Sequence, residues 1–253
     1  MADPIQVLRT RDRLKRVRGG RDGLYPFLEH LTWDVVQYFD DFLGDTLSGT
    51  YEIITGVDGA ITLLANQENG VAELRASDGA GADNEYGGAS LPELNWTGER
   101  NAIMACRLQI DALATVKVEC GFTDVTTDAG AVNVLATPSF TAANAAVWVL
   151  DTDDTANWQA VGVKAGTAAT KIEPGTPPVA ATYETLIVQL RDTNAKFWRL
   201  NAAGGAVYES EWMTDAITAD TALVPWVFVQ LRTGTLDRNV KIDFIDVRAR
   251  RTT

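Results

Sequence analysis

Two glutamates one residue apart, Glu209 and Glu211, are the nearest approach in this sequence to a paired-carboxylate site. On a strand such residues share a face, and retaining glycoside hydrolysis uses two carboxyls about 5 to 5.5 Å apart. A central aspartate and a third carboxylate are missing from this stretch. Because glutamate is usually exposed in folded proteins, we expect both side chains to lie on a solvated strand edge.

Nucleophilic and zinc chemistry would both depend on His30, the single histidine of the chain. A Ser-His-Asp or Cys-His site would have to include it, yet it lies far in sequence from Cys106 and Cys120. One histidine and two cysteines at these positions match no familiar zinc-ligand spacing. We therefore expect a structural or exposed histidine and no catalytic residue of this kind.

Clustered carboxylates at Asp151, Asp153 and Asp154, followed by Asn157, could supply oxygen ligands to calcium. The cluster lacks the glycine and the distal glutamate of an EF-hand loop. Aspartate and asparagine also favour turns, so a polar turn at a strand end is the preferred interpretation. Calcium remains the alternative, and no other cofactor is expected.

Tryptophans could offer stacking platforms for sugars, and the chain has seven. Tryptophan buries a large area and is mostly a packing residue, so we expect most of them in the core or at an interface. They are Trp33, Trp96, Trp148, Trp158, Trp198, Trp212 and Trp226.

A basic arm opens a strongly acidic chain. Residues 1–21 carry seven basic and two acidic side chains, a net +5, so the other residues account for −17 of a total charge of −12. The arm is short, lacks the aromatic residues of single-strand binders, and is attached to a body that repels nucleic acid. An acidic protein surface is the better partner, and a solvated terminus is the alternative. The basic residues are Arg9, Arg11, Arg13, Lys15, Arg16, Arg18 and Arg21.

The rest of the chain shows the period-2 alternation of β-strands, separated by loops rich in Gly, Thr, Asn and Ala. This predicts an all-β, two-sheet antiparallel sandwich with an N-terminal extended or short-helical arm. We place the arm and an aromatic connecting segment at 1–38 and the sandwich at 39–253. Between Leu24 and Phe42 we expect a short helix after Thr32 or a covering strand.

Two hairpins are predicted from local pattern. Asp58-Gly59 suits a two-residue turn between strands 51–57 and 60–65. In a second hairpin, alternation over 104–110 and 116–122 pairs Ile110 with Val116, which places Cys106 opposite Cys120 on the buried face. Because a reducing compartment keeps thiols reduced, we expect two free buried cysteines, with a disulfide as the alternative.

Four segments resemble parts of concanavalin A-like, laminin-G-like jelly rolls. Phe39-Asp40-Asp41-Phe42-Leu43-Gly44-Asp45 is similar to the stretch before that family's first strand. Residues 183–191 and 196–201 resemble two adjacent strands, and 240–248 resembles the last strand, which pairs near the first. The resemblance covers about 39–249 and implies one jelly-roll domain. The Glu-x-Asp-x-Glu strand of the family's glycoside hydrolases is missing, so we expect no enzyme.

An acidic β body behind a short basic arm also resembles the virion proteins of tailed bacteriophages. This resemblance implies a non-enzymatic capsid decoration subunit, held by its arm to the major capsid protein, homo-oligomeric, made in the host cytoplasm and located in the virion. The alternative is a carbohydrate-binding module of a tail fibre, with a glycan as partner. No apolar run reaches the roughly 18 to 20 residues of a membrane span, so no membrane partner is expected.

Overall fold

The computed structural model describes residues 35–65, 67, 69–80, 82–92 and 96–251, with backbone only at 169 and 170. Every regular element in these residues is a β-strand, which confirms the predicted all-β class. The basic arm, His30 and Trp33 lie outside the described residues. In the stretch after Thr32, the described residues Val35–Asp40 form a β-strand, so the strand alternative is correct there and the helix is not.

Seventeen strands are described, and all but two lie in two antiparallel sheets. The eight-stranded sheet contains β1 (Val35–Asp40), β3 (Ala60–Leu63), β4 (Ala72–Ser77), β6 (Ile103–Ile110), β13 (Glu184–Arg191), β14 (Asn194–Leu200), β15 (Ala206–Glu209) and β17 (Arg238–Arg250). The seven-stranded sheet contains β2 (Glu52–Thr55), β5 (Tyr86–Ser90), β7 (Val116–Thr123), β10 (Ala145–Asp151), β11 (Thr155–Lys164), β12 (Thr167–Ile172) and β16 (Val224–Leu231). The remaining pair, β8 (Val132–Val134) and β9 (Ser139–Phe140), forms a small ribbon.

The order of strands across each sheet explains the layered core. The eight-stranded sheet runs β15-β14-β13-β6-β17-β4-β3, with β1 paired to β17, and the seven-stranded sheet runs β12-β11-β10-β7-β16-β5-β2. Alternate residues of each strand point inward, and one apolar cluster fills the space between the sheets. In β7, for example, Val116, Val118, Cys120 and Phe122 face this core.

Both local hairpin predictions are wrong. The strands around Asp58-Gly59 lie in different sheets, since β2 pairs with β5 and β3 pairs with β4. Likewise β6 pairs with β13 and β17, whereas β7 pairs with β10 and β16. Each connection crosses from one sheet to the other, because apolar alternation specifies which face is buried but not which strand lies alongside. A side chain on Gly59 would place its Cβ 2.1 Å from the Tyr86 carbonyl oxygen, so this glycine permits close packing.

Two predictions drawn from the resemblance are confirmed. β13 and β14 form a hairpin in which Arg191 pairs with Asn194, and Asp192 adopts a left-handed φ of 52° in the turn. The last strand, β17, pairs with β1, from Val35 opposite Arg250 to Asp40 opposite Ile245. Residues 35–38 are therefore part of a sheet, although the predicted boundary placed them in the connecting segment.

Residues 124–144, which we call the covering segment, lie over the outer face of the seven-stranded sheet. Their side chains form a second apolar cluster with outward-facing residues of β10 and β11. The members from the covering segment are Ala131, Val132, Leu135 and Ala142, and those from the sheet are Ala145, Val147, Val149, Val161 and Val163. Both faces of this part of the sheet are consequently buried.

Candidate functional site

The most site-like group of side chains lies beneath the covering segment, on the outer face of β7. Lys117 and Glu119 are both 0% exposed. The Lys117 Nζ donates to the carbonyl oxygens of Ala129 (2.5 Å) and Val132 (2.6 Å), and it lies 3.3 Å from Glu119 Oε1. Neither charge is exposed to solvent, so each is stabilised mainly by the opposite charge of the other.

Glu119 is the acceptor at the centre of this group. Its oxygens accept hydrogen bonds from the backbone N–H groups of Ala131 (2.7 Å) and Val132 (3.0 Å). The indole Nε1 of Trp226 donates a third bond, at 3.0 Å. A carboxylate with so many donors is bound as a structural acceptor, with no oxygen directed to an open surface.

Burial sets the protonation behaviour of the lysine. Desolvation lowers the pKa of Lys117 below its ordinary value, because the charged form loses its hydration, and the neighbouring Glu119 carboxylate acts in the opposite direction. The Nζ also lies 5.2 Å above the ring of Phe228, a cation–π contact. Together these contacts hold the Lys117 side chain in a single position.

A second ion pair lies beside this group, between Arg232, which directly follows β16, and Asp151. Arg232 binds both carboxylate oxygens of Asp151, the last residue of β10. The same guanidinium donates to the Asn133 carbonyl (3.1 Å), and Gln230 donates to the Asp128 carbonyl (3.1 Å). Side chains of the sheet therefore hold the backbone of the covering segment at several points.

The three candidate calcium ligands are divided among these contacts. Asp151 is occupied by Arg232, and Asp154 accepts from Lys171 (2.6 Å) and Gln159 (2.7 Å). Asp153 is exposed, and its backbone N–H bonds to Asp151 in the β10–β11 turn. Within the described residues, no group of three or more His, Cys, Asp or Glu side chains is placed to hold a metal ion. These contacts place Asp153 and Asp154 in the turn between β10 and β11, next to the end of β10 at Asp151.

Another buried pair lies between the two sheets. Glu184 of β13 accepts from the Trp158 indole (2.6 Å), which belongs to the opposite sheet, and from Arg199 of β14. Arg199 also donates to the carbonyls of Thr176 and Pro177. Glu184 thus links the two sheets, and Arg199 links Glu184 to the loop before β13.

The paired glutamates are solvated as expected, but only Glu209 lies on a strand, because β15 ends there and Glu211 follows it. Both are exposed, and Glu209 lies on β15, the edge strand of its sheet. Glu209 forms a 2.7 Å ion pair with Lys196.

Five of the six described tryptophans are buried to 3% exposure or less, as expected for core residues. Trp212 is half-buried, and the Arg191 guanidinium lies 4.0 Å from its ring centre. A similar pair is formed by Arg107 and Tyr183, at 4.5 Å, with Asp243 bonded to Arg107 at 2.5 Å. Both pairs lie on the outer face of the eight-stranded sheet, where a ligand could reach them.

Sequence reasoning missed the buried ion pairs. Lys117 and Glu119 alternate with apolar residues in β7, a pattern that predicts a solvent-facing side. The covering segment removes that side from water, and only its own apolar residues between Ala131 and Ala142 could have signalled this.

No helix in the described part of the chain has the length and apolar character needed to cross a membrane.

Comparison with known proteins gives matches at the level of structure. No family model and no curated protein sequence matches the chain. A protein of unknown function from Shewanella oneidensis superposes with a TM-score of 0.63 at 14% identity, over 86% of this chain and 87% of that one. Arcelin-5, a lectin-like defense protein from Phaseolus vulgaris, gives 0.59 at 8% identity, over 87% and 100%. A seed lectin from Lotus tetragonolobus gives 0.56 at 9% identity, over 86% and 100%. At identities this low the comparisons establish the fold and nothing about function. The protein has the concanavalin A-like jelly-roll fold that is also found in the legume lectins.

Proposed function

We propose that this protein is a non-enzymatic structural subunit of a tailed-bacteriophage virion, in which the basic arm attaches an acidic sandwich to the capsid surface. The observation that carries the proposal is the division of charge, +5 in residues 1–21 against −17 in the remainder. Such a division suits an arm that docks on an acidic protein lattice while the acidic body remains on the outside of that lattice.

The buried carboxylates support a structural role for the body. Glu119, Asp151 and Glu184 all have their oxygens bonded to donors of the protein itself. A general acid or nucleophile must present an oxygen to its substrate. These three carboxylates instead fasten strands and loops to one another.

Deleting residues 2–21 tests the attachment. The full chain and the truncated chain would be mixed with purified capsids of the phage that carries the gene, and bound protein measured by co-sedimentation. We expect the truncated protein to lose binding. A matched control replaces the six arm arginines by lysine, which keeps the charge and should retain binding, since the attraction is electrostatic. Undiminished binding of the truncated chain would exclude the arm as the anchor.

A decoration subunit repeated over a lattice also implies self-association. Phe39 on β1 is 54% exposed, and its ring lies 6.2 Å from that of Phe244 on β17. We propose that this aromatic pair contributes to contacts between copies. Light scattering of the full chain and of Phe39→Ser would measure the change in mass.

The second candidate is a carbohydrate-binding module, which the half-exposed Arg191–Trp212 and Arg107–Tyr183 pairs favour. Aromatic rings beside polar groups suit the apolar face and hydroxyls of a sugar. A glycan array with and without calcium would test it, with Trp212→Ala and Tyr183→Ala as variants. Binding that either variant abolishes would support this candidate, and an array without signal in both conditions would eliminate it.

A further inference from the structure

Two cysteines meet in the centre of the sandwich although they belong to opposite sheets. Cys106 lies on the inward face of β6 and Cys120 on the inward face of β7, in the same apolar cluster. They are 0% and 1% exposed, and both are free thiols. Cys106 lies four residues before the end of β6 and Cys120 four residues after the start of β7, so the two inward side chains occupy matching positions on either side of the β6–β7 connection.

Their surroundings keep these thiols unreactive in the folded protein. Leu186 and Ile245 flank Cys106 within its sheet, and Trp148 and Val227 flank Cys120. Burial raises the pKa of the Cys106 thiol, and the adjacent Cys120 thiol raises it further. Because the thiolate is the reactive form, oxidation requires the sandwich to open or to be folding.

We propose that Cys106 and Cys120 form a latent inter-sheet disulfide, a modification site that fastens the two sheets together when the chain folds or opens in an oxidising medium. This inference is independent of the arm and of the aromatic pairs on the outer face. A disulfide joins cysteines only within a narrow range of separations, and the matching inward positions on β6 and β7 place both thiols in the same core between the sheets.

The oxidation is a pair of thiol–disulfide exchanges with a small disulfide such as oxidised glutathione. One cysteine thiolate attacks a glutathione sulfur, which forms a mixed disulfide and releases one glutathione thiolate. The second cysteine thiolate then attacks the protein sulfur of that mixed disulfide and releases the second glutathione. The two cysteines lose two protons and two electrons, and one molecule of oxidised glutathione becomes two of reduced glutathione.

The crosslink closes a short loop, residues 107–119, in the unfolded chain. Such a closure restricts the unfolded ensemble and raises stability. For a domain of this size we expect the melting temperature to rise by roughly 6 to 12 °C.

The test refolds the full chain from denaturant in buffer containing oxidised glutathione, alkylates residual thiols and maps tryptic peptides without reduction. The expected product joins peptide 101–107 to peptide 118–164, separates on reduction and melts at a higher temperature than the reduced protein. Cys106→Ala and Cys120→Ala are matched controls that should give neither the linked peptide nor the rise. Two alkylated cysteines, glutathione adducts without a link, or a linked protein that melts lower would each overturn the proposal.

Discussion

Lys117 and Glu119 are charged side chains that the fold removes from water completely. Replacing one member of a buried pair leaves the other charge without compensation, which costs about 3 to 5 kcal/mol. Removal of the Lys117 side chain would leave two backbone carbonyls without a donor. Removal of the Glu119 carboxylate would leave two backbone N–H groups and the Trp226 indole without an acceptor. The glutamate is therefore the more demanding partner.

We predict that Lys117→Met and Glu119→Gln each lower the free energy of unfolding, the glutamate variant by about 3 kcal/mol or more. The double variant should lose less than the sum of the two, because it leaves no uncompensated charge. Urea denaturation of the four proteins measures this cycle. Additive losses would show that the two residues do not interact.

Asp154 gives stability a specific dependence on pH. Burial alone would raise the pKa of this carboxyl, but hydrogen bonds from Lys171 and Gln159 outweigh it and hold that pKa below the ordinary 3.8. A carboxyl with a lowered folded-state pKa stabilises the fold above its unfolded pKa, and this stability is lost as pH falls through the folded-state pKa.

We therefore predict that Asp154→Asn is less stable than the natural sequence at neutral pH and that the difference shrinks as the pH falls below 3.8. Urea denaturation between pH 7 and about pH 3 provides the measurement. Lys171→Met should show a smaller loss with the same dependence on pH, since it removes one of the two donors and leaves the hydrogen bond from Gln159. A difference that is constant over this range would contradict the assignment.

For individual residues, the sequence predicted which side chains are buried or exposed, but not which side chains bind each other. The buried free cysteines, the core tryptophans and the exposed Glu209 follow from residue type and alternation. The pairing of Asp151 with Arg232, 81 residues later, could not follow, because nothing local links the two. Their contact depends on β10, β7 and β16 lying side by side.

The positions of the strands in the sequence were easier to predict than the strands that pair with them in the sheets. Alternation in β6 and β7 correctly identified the inward residues, yet the two strands lie in opposite sheets. Cys106 and Cys120 still lie in one core, because the inward faces of both sheets contribute to it. The covering segment was not predicted, since its short strands β8 and β9 have only three and two residues.

Gly121 shows how tightly β7 is packed against β10. Its φ is 152°, and an added Cβ would lie 2.3 Å from the Ala146 carbonyl oxygen. We predict that Gly121→Ala lowers the free energy of unfolding by about 2 to 4 kcal/mol, through strain at an unusual φ and displacement of the neighbouring strand.

Gly49→Ala is the matched control for this variant. Nothing lies within 4 Å of an added Cβ there, so we expect a change within about 0.5 kcal/mol. Both are measured by urea denaturation. Equal effects at the two positions would show that the packing at Gly121 is looser than described.

On the scale of the whole molecule, strand number and alternation predicted a two-sheet sandwich, and the jelly roll followed from the resemblance of a few segments. The function was not predictable in this way, because the fold serves unrelated functions. What distinguishes the chain is its uneven charge. If the arm binds an acidic lattice, the attraction must weaken as salt shortens the screening length from about 10 Å at 0.1 M to about 3 Å at 1 M.

We predict that capsid binding of the full chain falls steeply with sodium chloride concentration. Replacing the seven basic arm residues by glutamine should give weak binding that hardly responds to salt. Co-sedimentation across a salt series compares the two proteins. Strong salt-independent binding of the glutamine variant would point to an apolar anchor instead.

The central position of β17 has a consequence for how the protein is made. This strand joins β1, β4 and β6, yet it comes last of the described strands along the chain. While residues 238–250 remain inside the ribosome, β1 has none of its described pairing and β6 has one open edge. The eight-stranded sheet must therefore assemble after translation has passed β17, and messages that stop before Arg238 would yield chains that proteases and chaperones remove.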